Sequence, residues 1–234
     1  MNVRTLGHAV FLYAGLVAAL SLVRCTTTTG SHPVYHLPPA VNNILTTDQI
    51  TILANMGMTI NNGTTPPSIV GSYYVDALLL TGSNVPGDSI NIKKYANYSY
   101  RFSNQTAAGN ISVERAIQGG TSVGFGQGAI ISGSGNDFSI FTDLTDSITS
   151  SKDGHIIIFK SARIISGTIS ASGITGFRYA FICTEKVNDS FDEEIEVDQG
   201  RVIWESDNIA DLVTNYPFAK RMGAPAKSPD DILR

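Results

Sequence analysis

The side chains able to do chemistry are few, and their spacing settles most of their readings. Gly120-Thr121-Ser122-Val123-Gly124 spells the G-x-S-x-G pattern of a nucleophilic serine, a turn that needs a strand before the serine and a helix after it. Phe125-Gly126-Gln127-Gly128-Ala129 follows instead, too rich in glycine for a helix and better suited to a bulged strand. A general base is scarce as well. His8, His32 and His36 precede the strand-rich region, leaving His155, which reads as a structural histidine at the start of a strand. The series Gly124, Gly126, Gly128 is no nucleotide loop, because no strand-helix-strand unit surrounds it. The expectation is a non-enzymatic protein without a cofactor, a secreted hydrolase being the remotest alternative.

Asp189, Asp192, Glu193, Glu194, Glu196 and Asp198 concentrate oxygens that a hard cation could use. Their spacing is not that of an EF-hand and no glycine marks a bend, so a solvated acidic loop without metal is expected. Asp143, Asp146 and Asp153 read as loop residues too. Cys183 alternates with Phe177, Tyr179 and Phe181, which makes it a small buried hydrophobe rather than a nucleophile.

Strands must carry these groups. Tyr98, Tyr100 and Phe102 alternate with Ser99, Arg101 and Ser103, and Ile111, Val113, Arg115 and Ile117 with Ser112, Glu114, Ala116 and Gln118, the period of a strand with one buried face. Further runs at 69–80, 129–132, 138–142, 156–165, 167–170, 177–186 and 201–205 are separated by turn signals such as Gly133-Ser134-Gly135-Asn136. This predicts an all-β fold, an antiparallel up-and-down meander of eight to nine strands closing into a barrel, with a β-sandwich as the alternative that periodicity does not exclude. Thr46-Thr47-Asp48 before Ile50, Leu53 and Gly57 predicts one short N-terminal helix. A second short helix is expected over 207–213. In a barrel of this size the rings of Tyr98, Tyr100, Phe102, Tyr179 and Phe181 are the candidate walls for one small apolar ligand.

The address is written at the front. A basic start, an apolar run of about 15 residues from Ala9 to Val23, then Leu22-Val23-Arg24-Cys25, form an export signal too short for the roughly 20 residues of a spanning helix. Leu22 and Cys25 resemble the lipobox of bacterial lipoproteins, which implies acylation of Cys25 and a membrane anchor. Arg24 stands where Gly, Ala or Ser is usual, so plain secretion with cleavage near Ser21 is the alternative. Four divisions result: a signal peptide at 1–24, a lipid-anchored tether at 25–43 rich in Thr and Pro, a β-barrel domain at 44–216 with its leading helix, and a frayed tail at 217–234. Without residues 1–24 the formal charge moves from −4 to −6, since Arg4 and Arg24 go with them. With no basic cluster left, nucleic acid is not an expected partner.

Two wider resemblances add to this. The succession Leu45 to Gly57, Pro66-Pro67-Ser68-Ile69-Val70-Gly71-Ser72-Tyr73-Tyr74, Ile131-Ser132-Gly133-Ser134-Gly135-Asn136-Asp137-Phe138 and Ile165-Ser166-Gly167-Thr168 resembles envelope lipoproteins of Bacteroidota, a family that supplies no assigned activity. Thr26-Thr27-Thr28-Thr29-Gly30-Ser31 after Cys25 lacks the acidic residues that mark surface export in that group, which implies an outer-membrane anchor facing the periplasm. Gly71-Ser72-Tyr73 is similar to the Gly-x-Trp opening of lipocalins and other calycins, whose ring plugs one end of the barrel. The expected function is a cell-envelope lipoprotein binding a small apolar ligand or envelope component. The alternative is a surface-glycan or protein-interaction module presenting Tyr74 and Trp204.

Overall fold

The computed structural model describes residues 35–120 and 122–214. Cys25, the signal, the first part of the tether and the tail at 217–234 lie outside them. Ten strands form one antiparallel sheet: β1 (Gly71–Val75), β2 (Leu78–Ser83), β3 (Tyr98–Ser103), β4 (Asn110–Ile117), β5 (Val123–Ser134), β6 (Asp137–Thr149), β7 (Ile156–Ile169), β8 (Gly173–Val187), β9 (Gly200–Glu205) and β10 (Ile209–Val213). Hydrogen bonding runs β10-β1-β3-β4-β5-β6-β7-β8 and returns from β8 to β10, a ring of eight strands. β9 pairs with the other half of β8, and β2 with β9. The chain therefore reads as a meander in which β1 and β2 act as one interrupted strand, and β9 and β10 as another.

Inside the ring, Tyr73, Tyr100, Phe102, Val113, Phe138, Ile140, Phe177, Tyr179 and Ile203 make the apolar core. Tyr73 is 2% exposed, and its hydroxyl donates to the Ile69 carbonyl at 3.0 Å. A second apolar layer covers the outer face. Phe141, Ala162, Ile164, Ala180, Ile182 and Val202 meet Ile50 and Leu53 of helix α1 (Thr47–Asn55), together with Val41, Leu45 and Met58. This explains why β7 and β8 read as nearly continuous apolar runs rather than clean alternations: both their faces are buried.

Helix α1 opens on a capping box, Thr46 accepting from the Gln49 N–H at 3.2 Å and Gln49 from the Thr46 N–H at 2.9 Å. Gly57 follows at φ +98°. The helix end presses on β2 at Gly82, where a Cβ would stand 2.1 Å from the Met56 carbonyl oxygen.

Three expectations need correction. The helix expected over 207–213 is strand β10, paired with both β8 and β1; Ile209, Ala210, Leu212 and Val213 suit either period over so short a window, and the ring's need for a closing strand decides. Asp143 and Asp146 are not loop residues but lie on β6. The tether's far end is packed, because Tyr35, Leu37 and Ala40 lie against the outer layer and Val41 is 1% exposed. Apolar side chains between the prolines find the sheet that composition alone does not reveal.

Candidate functional site

Three charged side chains point inward from neighbouring strands of the ring. Arg115 follows Ile111 and Val113 on the inner face of β4, and the pairing sets it opposite Gly124 of β5, which in turn faces Asp146 of β6. Gly124 makes the room: a Cβ there would fall 2.0 Å from Asp146 Oδ1. Asp146 Oδ1 accepts from Arg115 Nη2 at 2.7 Å, and Oδ2 from Arg163 Nη2 of β7 at 2.6 Å. The Arg163 Nε–H donates to Ser161 Oγ at 2.8 Å. Side-chain exposure is 8% for Arg115, 3% for Arg163 and 1% for Asp146. One buried carboxylate thus bridges two buried guanidiniums, which leaves an excess of one positive charge.

Aromatic faces hold the guanidiniums in place. Arg115 Cζ lies 4.5 Å from the centre of the Tyr98 ring and Arg163 Cζ 5.0 Å from that of Phe181, stacking that favours a partly desolvated arginine. These groups border a cavity of about 200 Å³, lined also by Tyr95, Phe159, Tyr179, Ser122, Glu194 and Arg201. Arg201 is committed elsewhere, to Asp88 at 2.6 and 3.1 Å. Burial opposes ionisation of Asp88, but hydrogen bonds from Arg201, Lys93 and Ser83 outweigh it and hold its carboxyl below the usual range. Glu194 behaves differently: burial, then repulsion from Asp146 and Asp189, pushes its carboxyl up to about 7 against the pull of Arg115 and Arg201. Near neutral pH it is only partly charged.

The polar inventory of this cavity is not closed. Arg115 Nε, Arg163 Nη1 and Tyr95 Oη are buried without a protein partner. Guanidinium nitrogens only donate, and a buried donor left unpaired costs about 1–3 kcal/mol. Arg115 and Arg163 both line the cavity, so its wall carries positive charge.

Of the aromatic residues expected to wall a ligand site, Tyr98, Tyr179 and Phe181 line the cavity. Tyr100 and Phe102 do not line it; within the apolar core Tyr100 is stacked on Phe102 with ring centres 6.0 Å apart. Ser122 reaches the cavity, but His155 does not. His155 is bound to Asp153 and to the Asn188 carbonyl in a separate surface depression. Cys183 is buried, and burial pushes its thiol up to about 11, far from a reactive thiolate. The acidic segment divides: Lys186 draws in Asp189, Asp192 and Glu196, while Glu194 turns inward. Tyr74 accepts from Asn97 at 2.6 Å and Trp204 lies beneath Arg178, 5.6 Å from its Cζ, so neither ring is freely presented.

Sequence reasoning passed over Arg115, Asp146, Arg163 and Glu194 as site residues. The signal existed for Arg115 alone, a charge standing in the apolar register of Ile111, Val113 and Ile117. Among the described residues no helix is long and apolar enough to cross a membrane. Compared with family models, curated proteins and solved structures, the chain matches none.

Proposed function

We propose that this protein is a non-enzymatic binding protein of the cell envelope that holds a small organic anion inside its ring of strands. The observation that carries the reading is the pair of buried arginines, Arg115 and Arg163, that line a cavity of about 200 Å³ and each keep one guanidinium N–H without a protein partner. A carboxylate or phosphate supplies acceptors to such donors and neutralises the positive charge that Asp146 and a partly ionised Glu194 leave uncompensated. Tyr98, Phe159, Tyr179 and Phe181 supply the apolar wall for the rest of the molecule. The ligand is thus amphipathic, an acid with a compact apolar body, rather than wholly apolar. Its size is modest, because the cavity falls below the roughly 300–1,000 Å³ of drug-sized sites.

The non-enzymatic reading rests on the separation of Ser122 from His155, which leaves that serine without a histidine partner in the cavity. Placement in the envelope rests on the export signal, with Cys25 as the acylated anchor at the periplasmic face of the outer membrane. Thermal unfolding of the full chain with benzoate, phenyl phosphate and the neutral isostere benzamide tests the binding claim. At a hundredfold excess over Kd an anion stabilises by about 2.7 kcal/mol, a rise of about 5–10 °C for a chain of this size. Arg115→Gln should abolish the rise. Equal responses to benzoate and benzamide, or no response to either anion, would refute the reading.

A further inference from the structure

A different cluster stands where the two interrupted strands face each other. Between β1 and β2 the chain breaks at Asp76 and Ala77, with Ala77 at φ +48°; between β9 and β10 it breaks at residues 206–208, with Asn208 at φ +73°. The breaks are joined directly. The Ser206 N–H and hydroxyl donate to the Ala77 carbonyl at 3.1 and 2.7 Å, and the Asp76 N–H donates to Glu205 Oε1 at 3.1 Å. Positive φ at a residue other than glycine is uncommon, and one such residue lies in each of the two breaks beside which Asp76, Glu205 and Asp207 gather. An oxygen of each lies within 4.8 Å of the others.

An acidic cluster on a surface is ordinary, but this one includes a carboxylate that is 0% exposed. Glu205 Oε2 has no hydrogen-bond partner. None of the ion pairs among the described residues reaches Asp76, Glu205, Asp207 or Asp211. A buried carboxylate without a counter-charge is strongly unfavourable, and here its charged neighbours are Asp76, Asp207 and Asp211, all acidic.

We infer that Asp76, Glu205 and Asp207 form a binding site for a hard divalent cation, calcium in preference to magnesium, that fastens the β1–β2 break to the β9–β10 break. The donor set is oxygen alone, with no His or Cys, which disfavours zinc and copper. Ligand demands separate the two hard ions: magnesium requires near-ideal octahedral geometry and dehydrates reluctantly, whereas calcium accepts irregular sets of six to eight oxygens, the looser demand that three carboxylates carried on two chain breaks can meet. Asp207 is exposed and Asp76 half-buried, so the ion has a path from solvent and room to keep waters. With one buried ligand and two more accessible ones, affinity in the range of about 0.1–1 mM, that of extracellular calcium modules, is the expectation.

The test uses the full chain, freed of metal with a chelator and dialysed to pH 7.5. Calcium chloride at a few millimolar should raise the unfolding temperature by about 3–6 °C, and magnesium chloride by clearly less. Asp207→Asn, an exposed change that leaves the buried ligand in place, should weaken the calcium response at least tenfold in midpoint concentration. Asp192→Asn, in the separate acidic segment, should leave it unaltered. A wild-type chain indifferent to calcium, a response as strong in Asp207→Asn as in wild type, or one lost in Asp192→Asn would overturn the inference. None of these readouts involves an organic anion, so the result stands apart from that of the ring cavity.

Discussion

Asp146→Asn removes one negative charge from the middle of the ring and leaves two buried guanidiniums without their counterion. Arg115 and Arg163 lose charge-assisted bonds of 2.7 and 2.6 Å, and each such bond contributes about 1.5–3 kcal/mol. Asparagine keeps an oxygen that can still accept from one of them, while its amide group opposes the other. The loss should therefore resemble that of one partner of a buried pair, about 3–5 kcal/mol, rather than the sum of both bonds. In a chain of this length about 2–4 °C corresponds to each kcal/mol, which places the fall in unfolding temperature at about 6–20 °C. Calorimetry or far-ultraviolet circular dichroism on heating reads it directly. Benzoate should stabilise the variant more than the wild type, since an added carboxylate meets two uncompensated arginines. A variant melting within 2 °C of wild type would refute the reasoning, because it would mean that Asp146 is not the buried counterion of this pair.

Tyr73→Ala, which empties an aromatic core position 2% exposed, should cost about 3–5 kcal/mol, and Tyr73→Phe, which removes only the bond to the Ile69 carbonyl, about 1 kcal/mol; urea unfolding distinguishes them, and equal costs would contradict the buried ring. In chelator-containing buffer, stability should fall as pH rises: Glu205 has a native value of about 8 against an ordinary 4.5, so its contribution is complete below about 4.5 and lost toward 8. Glu194, pushed up to about 7, adds a loss of the same sign, and Glu205→Gln should flatten the slope of unfolding temperature against pH between 5 and 8. Metabolic labelling with a clickable palmitate analogue should mark the wild-type chain and not Cys25→Ala; labelling that survives the substitution would remove the anchor.

What the sequence discloses and what it withholds divide along a physical line. Local period gives β3 to the residue, Tyr98–Ser103, and the Thr46 cap gives the start of α1, because each is decided by neighbours a few positions away. The glycines at 124 and 126 mark a strand whose inner face must stay bare: a Cβ on Gly126 would stand 2.2 Å from Thr142 Oγ1, a constraint set by β6. Strand β10 escapes because its conformation is fixed by partners outside any local window, β8 and β1. The charged site escapes for the same reason. Arg115, Asp146 and Arg163 are 31 and 17 residues apart in their bonded pairs, and only the register of β4 through β7 makes them adjacent. Arg163 is hidden in an apolar run, and Glu194 looks like one more solvated acid until the fold turns it inward. Asp76 and Glu205 meet across 129 residues, with no pattern in either segment to announce it.

The most direct measurement is nuclear magnetic resonance of the arginine Nε–Hε groups in a chain labelled with nitrogen-15 at arginine. The Arg115 resonance can be assigned by its absence in Arg115→Lys. Arg115 Nε is a buried donor without a protein partner, so its proton should move saturably as benzoate is added and hold still with benzamide. An Arg115 signal indifferent to benzoate, phenyl phosphate and inorganic phosphate at tens of millimolar would contradict an anion site inside the ring.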